Sequence, residues 1–71
     1  MTWELYEVWG EDDEGYEELV ETTKSLKEAR ELATKTLDDF PIAIIYQETE
    51  DGDQEEVERL TFDEDGSIIT F

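Results

Sequence analysis

The sequence predicts an α+β domain, in which an antiparallel β-sheet meander of order β-β-α-β-β-β carries one helix packed on one face. Residues 25–40 show apolar side chains at helical spacing and stop at Pro41. Five other short segments are rich in β-branched and aromatic residues, and acidic turns containing glycine separate them. With 71 residues, the chain is long enough for one domain, which we expect to span residues 1–71.

An N-terminal hairpin is predicted first. Residues 2–9 read T-W-E-L-Y-E-V-W and form a strand, residues 11–15 form a turn, and residues 16–22 form a second strand. The alternative is a helix that begins as early as Tyr16. The Thr22-Thr23 pair and the capping signal that follows it argue against this alternative.

The helix is the element that the sequence specifies most completely. Ser25 fits an N-cap and Glu28 fits the third helical position of a capping box. One apolar stripe follows, made of Leu26, Ala29, Ala33, Leu37 and Phe40. Because proline disfavours a helical conformation in the residue before it, the helix is expected to end at or just before residue 40.

The remaining strands follow the helix. Residues 42–48 are the most apolar segment and are predicted to form the central strand, and Asp51-Gly52 marks the next turn. In residues 55–62 the apolar positions change face after Val57, which indicates a bulge. A tight turn at residues 63–66 leads to a last strand at residues 67–71.

Charge is the dominant feature of the composition, with a net charge of −18 and 23 acidic residues. Residues 24–39 carry four basic and four acidic side chains, so the whole net charge lies on the strands and their turns. Thirteen acidic residues cluster in the three hairpin connections. From these connections we select, as partner-binding candidates, Glu11, Asp12, Asp13, Glu14, Asp51, Asp53, Glu55, Glu56, Asp63, Glu64 and Asp65.

Three strand residues, Glu17, Glu21 and Glu58, are secondary candidates. Residues two apart in a strand lie on the same face about 6.6 Å apart. On this basis Glu17 with Glu21, and Glu56 with Glu58, are expected to form regular rows of carboxylates.

The residue types exclude most catalytic chemistry. The chain has no histidine and no cysteine, so the usual general base near neutral pH and the thiol nucleophile are missing. We expect no enzymatic activity and no cofactor. The best calcium-loop register starts at Asp51, but Glu56 stands where a glycine is needed and Phe62 where a bidentate glutamate is needed, so no metal site is predicted.

The expected partner is a basic, nucleic-acid-binding protein, which the acidic surface would inhibit by imitating nucleic acid. The same charge repels nucleic acids and anionic membranes, so neither is an expected partner. In size and charge the chain is similar to small phage and plasmid proteins that block restriction enzymes or CRISPR complexes, although no motif extends this similarity. A cytoplasmic location is expected.

Two other interpretations stay open. The first is a protein-interaction or dimerisation module that uses Trp3, Tyr6 and Trp9, with Trp3 and Trp9 on one face of the strand and Tyr6 on the other. The chain would then be either a monomer or a homodimer. The second is a domain adapted to high salt, which fits less well because glutamate outnumbers aspartate 15 to 8.

Overall fold

The computed structural model describes residues 5–71. In chain order its elements are β1 (Leu5–Glu11), β2 (Glu17–Thr23), α1 (Leu26–Thr36), β3 (Ile42–Glu48), β4 (Gln54–Phe62) and β5 (Ile68–Thr70). The predicted order of elements is confirmed. β1 extends to Glu11, past the predicted end, while the first residues of the predicted strand lie outside the described range.

The described strands form one antiparallel sheet in the spatial order β2-β1-β3-β4-β5, with the helix on one face. The predicted α+β class is therefore confirmed, and β3 is the central strand as expected. Strands β3 to β5 follow one another as a meander. The helical connection carries the chain from β2 across β1, so that β3 pairs with β1 rather than with β2.

The helix begins at the predicted cap. Ser25 has an extended backbone, and its hydroxyl accepts a 3.4 Å hydrogen bond from the Glu28 amide. The Glu28 carboxylate accepts a 2.6 Å bond from the Thr23 hydroxyl, whose oxygen accepts from the Ser25 amide. Thr23 thus joins the two members of the capping box, a relay that the pattern of Ser25 and Glu28 alone does not predict.

The helix ends earlier than Pro41 requires. Thr36 is its last residue, and the amide of Phe40 donates a 2.9 Å hydrogen bond to the Thr36 carbonyl across the intervening turn. Residues 37–40 therefore bend toward the sheet, and the Phe40 ring packs against β1.

The core lies between the helix and the sheet. Ala29 and Ala33 on the helix are fully buried, and so are Val8 on β1 and Ala43 and Ile45 on β3. Because the helix presents alanines, its backbone can approach the sheet closely. Tyr6, Leu37 and Leu60 complete the same cluster.

Gly10 is required by the packing of Phe40. A methyl group on Gly10 would lie 2.8 Å from Phe40 Cδ1 and closer still to two other ring carbons. The aromatic ring therefore occupies the space that a side chain at position 10 would need. This contact closes one end of the core.

Two bulges interrupt the strand pairing. Between β1 and β2, Val8 pairs with Glu21 and Trp9 pairs with Leu19, which leaves Val20 as an extra residue. Between β3 and β4, Ile45 pairs with Glu58 and the next residue pairs with Glu56, which leaves Val57 extra. The bulge predicted in β4 is confirmed, and the one in β2 was not predicted.

Candidate functional site

The three acidic turns lie at opposite ends of the sheet. Residues 12–16 follow the end of β1, and residues 63–67 follow the end of β4. Both strand ends lie beside the first residue of β3, so these two turns share one end of the sheet. Residues 49–53 follow the other end of β3. Since the described domain extends 42 × 24 × 18 Å, the carboxylates are spread along an elongated body rather than gathered in one cluster.

All three turns share one backbone conformation. In each, the amide of the first residue donates a hydrogen bond to the carbonyl of the fifth, and the amide of the fourth residue donates to the carbonyl of the first. That fourth residue is a glycine with positive φ, namely Gly15 (90°), Gly52 (87°) and Gly66 (84°). This is the geometry of a three-residue hairpin loop that ends on a left-handed glycine.

The acidic residues of these turns form two groups, those whose side chains hydrogen-bond within the turn and those at its tip. Asp12 Oδ1 accepts 2.9 Å bonds from the amides of Glu14 and Tyr16, and Asp63 Oδ1 does the same for Asp65 and Ser67. Both aspartates fix their turns. The second and third positions carry exposed carboxylates at the turn tips, namely Asp13, Glu14, Glu50, Asp51, Glu64 and Asp65.

Glu50 was not among the predicted site residues. Its position in the turn matches those of Asp13 and Glu64, so the shared spacing to the glycine could have identified it. Asp53 and Glu55, which were predicted, are exposed just after the same turn and at the start of β4.

The prediction that the strand carboxylates form regular rows is wrong. Glu21 pairs with Val8 of the core and lies on the helix side, whereas Glu17 pairs with Glu11 on the opposite face. Likewise, Glu58 lies on the helix side and Glu56 on the opposite face. The cause is the bulge in each strand, because one extra residue reverses the alternation of side chains.

On the helix side, Glu58 is paired within the domain, whereas Glu21 is exposed at the edge of a groove. Glu58 accepts a bidentate pair of hydrogen bonds from Arg30, with a closest approach of 2.5 Å. This pair raises the pKa of the Arg30 guanidinium, first through the hydrogen bond and then through the charge of Glu58. Glu21 lines a shallow polar groove between β2 and the helix, together with Leu32 and Lys35.

We call the sheet surface opposite the helix the open face. Trp9 and Tyr46 lie half-buried on it, with ring centroids 6.2 Å apart and planes at 88°. Tyr6 points the other way and is buried in the core, so the predicted division of these aromatic residues between two faces holds for the described residues. Trp3 lies outside the described range.

Carboxylates bind the polar atoms of the open face. The Tyr46 hydroxyl donates a 2.7 Å bond to Glu17, and the Trp9 indole N–H donates a 3.1 Å bond to Glu7. Burial, followed by the hydrogen bond to Glu17, raises the pKa of Tyr46 to about 12. The acids of this face are thus held in fixed positions by aromatic donors.

Arg59 is the one basic residue outside residues 24–39, and it also lies on the open face. Its guanidinium is 2.8 Å from Glu56 and 3.9 Å from Glu11. The hydrogen bond that Arg59 donates to Glu56 is the main cause that raises the pKa of Arg59. Glu11 and Glu56, which were predicted to bind a partner, therefore form ion pairs within the chain. Their charges are partly neutralised by Arg59, unlike those at the turn tips.

The described residues form neither a metal-binding cluster nor a membrane-spanning helix. Across residues 5–71, no group of three acidic side chains converges closely enough to hold a metal ion. The helix is also too short and too polar to cross a membrane, and no other helix lies within the described residues. What the surface offers is a set of fixed carboxylates and an aromatic pair.

Comparison of the chain with protein-family models, curated proteins and solved structures found no match. The fold and the surface described above define the chain as an acidic α+β domain with an open sheet face.

Proposed function

We propose that this domain is an acidic decoy, which binds a basic nucleic-acid-binding protein in the place of nucleic acid and inhibits it. The observation that carries the proposal is the spacing of the free carboxylates. They stand at the tips of rigid turns at both ends of a body 42 Å long. The biological setting that we propose is phage or plasmid counter-defence in the cytoplasm.

The amount of charge suits such a role. A DNA duplex carries one negative charge for about every 1.7 Å of its axis. A duplex as long as this domain, 42 Å, would carry about 25 charges. The chain has 23 acidic residues and a net charge of −18, so the two charge densities are of the same order.

The hydrogen-bonded backbone of the turns also supports the proposal. An unstructured acidic peptide loses conformational freedom when it binds, at roughly 1–2 kcal/mol for each backbone residue that becomes fixed. Here the turns are closed by paired backbone hydrogen bonds, and Asp12 and Asp63 add side-chain bonds. The folded domain therefore presents its charges on a backbone that is already ordered, which favours binding to a basic groove.

Affinity capture tests the proposal. The folded domain and an equally acidic unstructured peptide are immobilised separately and exposed to the same lysate. We expect the folded domain alone to retain a basic nucleic-acid-binding protein, and we expect added duplex DNA to elute it. If both baits retain the same proteins, the acidity acts without the fold and the decoy proposal fails.

A second candidate function is a protein-interaction module whose main contact is aromatic. The observation that favours it is the Trp9–Tyr46 pair, which lies half-buried where the helix does not cover the sheet. Tyr6 is unsuited to this role because it is buried in the core. This candidate predicts binding that changes little with salt, whereas the decoy predicts binding that weakens steeply as salt rises.

A further inference from the structure

The open face carries a band of mostly apolar side chains that crosses the sheet and is interrupted by Arg59. The strand register aligns five residues in a single row, in the order Leu19, Trp9, Ile44, Arg59 and Phe71, of which the last directly follows β5. Four of the five are apolar or aromatic. The backbone of Phe71 is paired with that of Arg59 through two hydrogen bonds of 2.8 and 3.2 Å, so the row continues to the last strand.

The two ends of this band are exposed. Leu19 is 46% exposed and Phe71 is 63% exposed. At the centre, Ile44 is fully buried although the helix lies on the other side, because its neighbours in the band and Tyr46 cover it. The exposed apolar surface therefore lies mainly at the two ends, with the half-buried Trp9 between them. Exposed apolar surface with a polar rim is typical of interaction sites in soluble proteins.

The rim of the band is acidic and fixed. Glu7 accepts hydrogen bonds from the Trp9 indole and from Gln54, and Glu17 accepts one from Tyr46. These carboxylates flank the aromatic pair, and each retains lone pairs for further donors. The centre of the open face thus combines an aromatic surface with carboxylates that are already oriented.

We propose that the open face is the docking surface for an arginine-bearing segment of the basic partner, with Trp9 and Tyr46 as the aromatic contact and Glu7 and Glu17 as the ionic one. This inference rests on the proposed function for the basic character of the partner, and it adds the surface and the side chain that are recognised.

Charge complementarity selects this occupant. A second copy of the chain would bring two acidic rims together, each from a molecule of net charge −18. A cationic segment instead meets carboxylates of opposite sign. Arginine suits the site better than lysine, because its planar guanidinium stacks on aromatic rings and donates to carboxylates in a fixed fork.

A peptide titration tests the docking surface. The probes are fluorescently labelled nine-residue peptides of arginine and of lysine, and their anisotropy reports binding to the full chain. We expect tighter binding of the arginine peptide, and we expect Trp9→Leu to weaken it about tenfold or more, as for an aromatic anchor. Tyr16→Ala is the matched control, since Tyr16 is an aromatic residue in a turn, 70% exposed and outside the band.

A second variant, at an exposed position, tests the docking surface in case Trp9→Leu does not fold. Phe71→Ala alters an exposed end of the band and should weaken arginine-peptide binding by several-fold. If both band variants bind like the wild type while reversal of the turn carboxylates abolishes binding, the docking surface is wrong and the decoy proposal stands. If dimerisation is seen by analytical ultracentrifugation and Phe71→Ala removes it, the face belongs to a second copy, and the inference is overturned.

Discussion

Trp9 and Tyr46 meet edge to face on neighbouring strands, and a carboxylate binds the polar atom of each ring. Glu7 accepts from the indole N–H, and Glu17 accepts from the phenol. These two hydrogen bonds orient both the aromatic rings and the carboxylates of Glu7 and Glu17. The acidity and the aromatic surface of this domain are therefore parts of one arrangement.

The first prediction concerns pH. The pKa of Tyr46 is raised from 10.0 to about 12 in the folded state, by burial first and then by the bond to Glu17. Because the folded pKa lies above the unfolded one, the neutral phenol stabilises the fold fully below pH 10 and this stabilisation is lost as pH rises toward about 12. Urea unfolding should show a steeper loss of stability across this window in the wild type than in Tyr46→Phe.

Glu17→Gln provides the control for this prediction. It removes the charge and weakens the hydrogen bond that raise the pKa of Tyr46. Ultraviolet titration of tyrosinate should therefore show one phenol that ionises at lower pH in the variant than in the wild type. Identical titration curves would contradict the assigned contact.

The second prediction concerns packing at Gly10. Gly10→Ala should lower the free energy of unfolding by about 1–3 kcal/mol, because the new methyl group must displace the Phe40 ring. In a Phe40→Ala background the same substitution should be much less destabilising, since the ring is no longer there. Equal losses in the two backgrounds, measured by chemical denaturation, would contradict this packing.

Local signals in the sequence were enough to predict the elements. Ser25 and Glu28 located the helix start, and the acidic glycine turns located the hairpins. Helix length was less well predicted. Pro41 sets only an upper limit to the helix, and the contact of Phe40 with Gly10 involves residues 30 positions apart, which no local pattern reveals.

The candidate surface was only partly predictable. Counting residues in steps of two placed Glu21 and Glu58 on the wrong face, because the bulge in each strand reverses the alternation. The apolar band was missed for a different reason. Its members come from four strands and the residue after β5, and only the register of the whole sheet brings Leu19, Trp9 and Phe71 into one row.

The third prediction concerns salt. Screening relieves repulsion among the carboxylates, so the urea midpoint of unfolding should rise as NaCl increases from low to moderate concentration. A variant with neutral amides at the turn tips should show a smaller rise. A midpoint that does not respond to salt would mean that the charges lie too far apart to repel one another appreciably.

The fourth prediction concerns the two acidic ends. Reversal to lysine at either end should weaken binding of the captured partner about tenfold or more while the fold is kept, because an elongated groove contacts both ends. One variant changes Asp51, Asp53 and Glu55, and the other changes Glu14, Glu64 and Asp65. Glu56 is left unchanged because it binds Arg59.

A helix-side variant is the matched control for these reversals. It carries three acid-to-lysine changes at exposed positions, Glu31, Asp38 and Asp39, and so has the same net charge as each end variant. We expect it to bind nearly as well as the wild type. If it weakens binding as much as the end variants do, total charge governs binding and the arrangement of the turns does not.

The most direct test of the decoy is competition between the domain and DNA for the captured partner. A labelled duplex is bound to that protein, the folded domain is added, and anisotropy measures the duplex that remains bound. If the domain imitates nucleic acid, the duplex will be displaced completely, and the domain with lysines at both ends will fail to displace it. A ternary complex, in which duplex and domain bind together, would contradict the account.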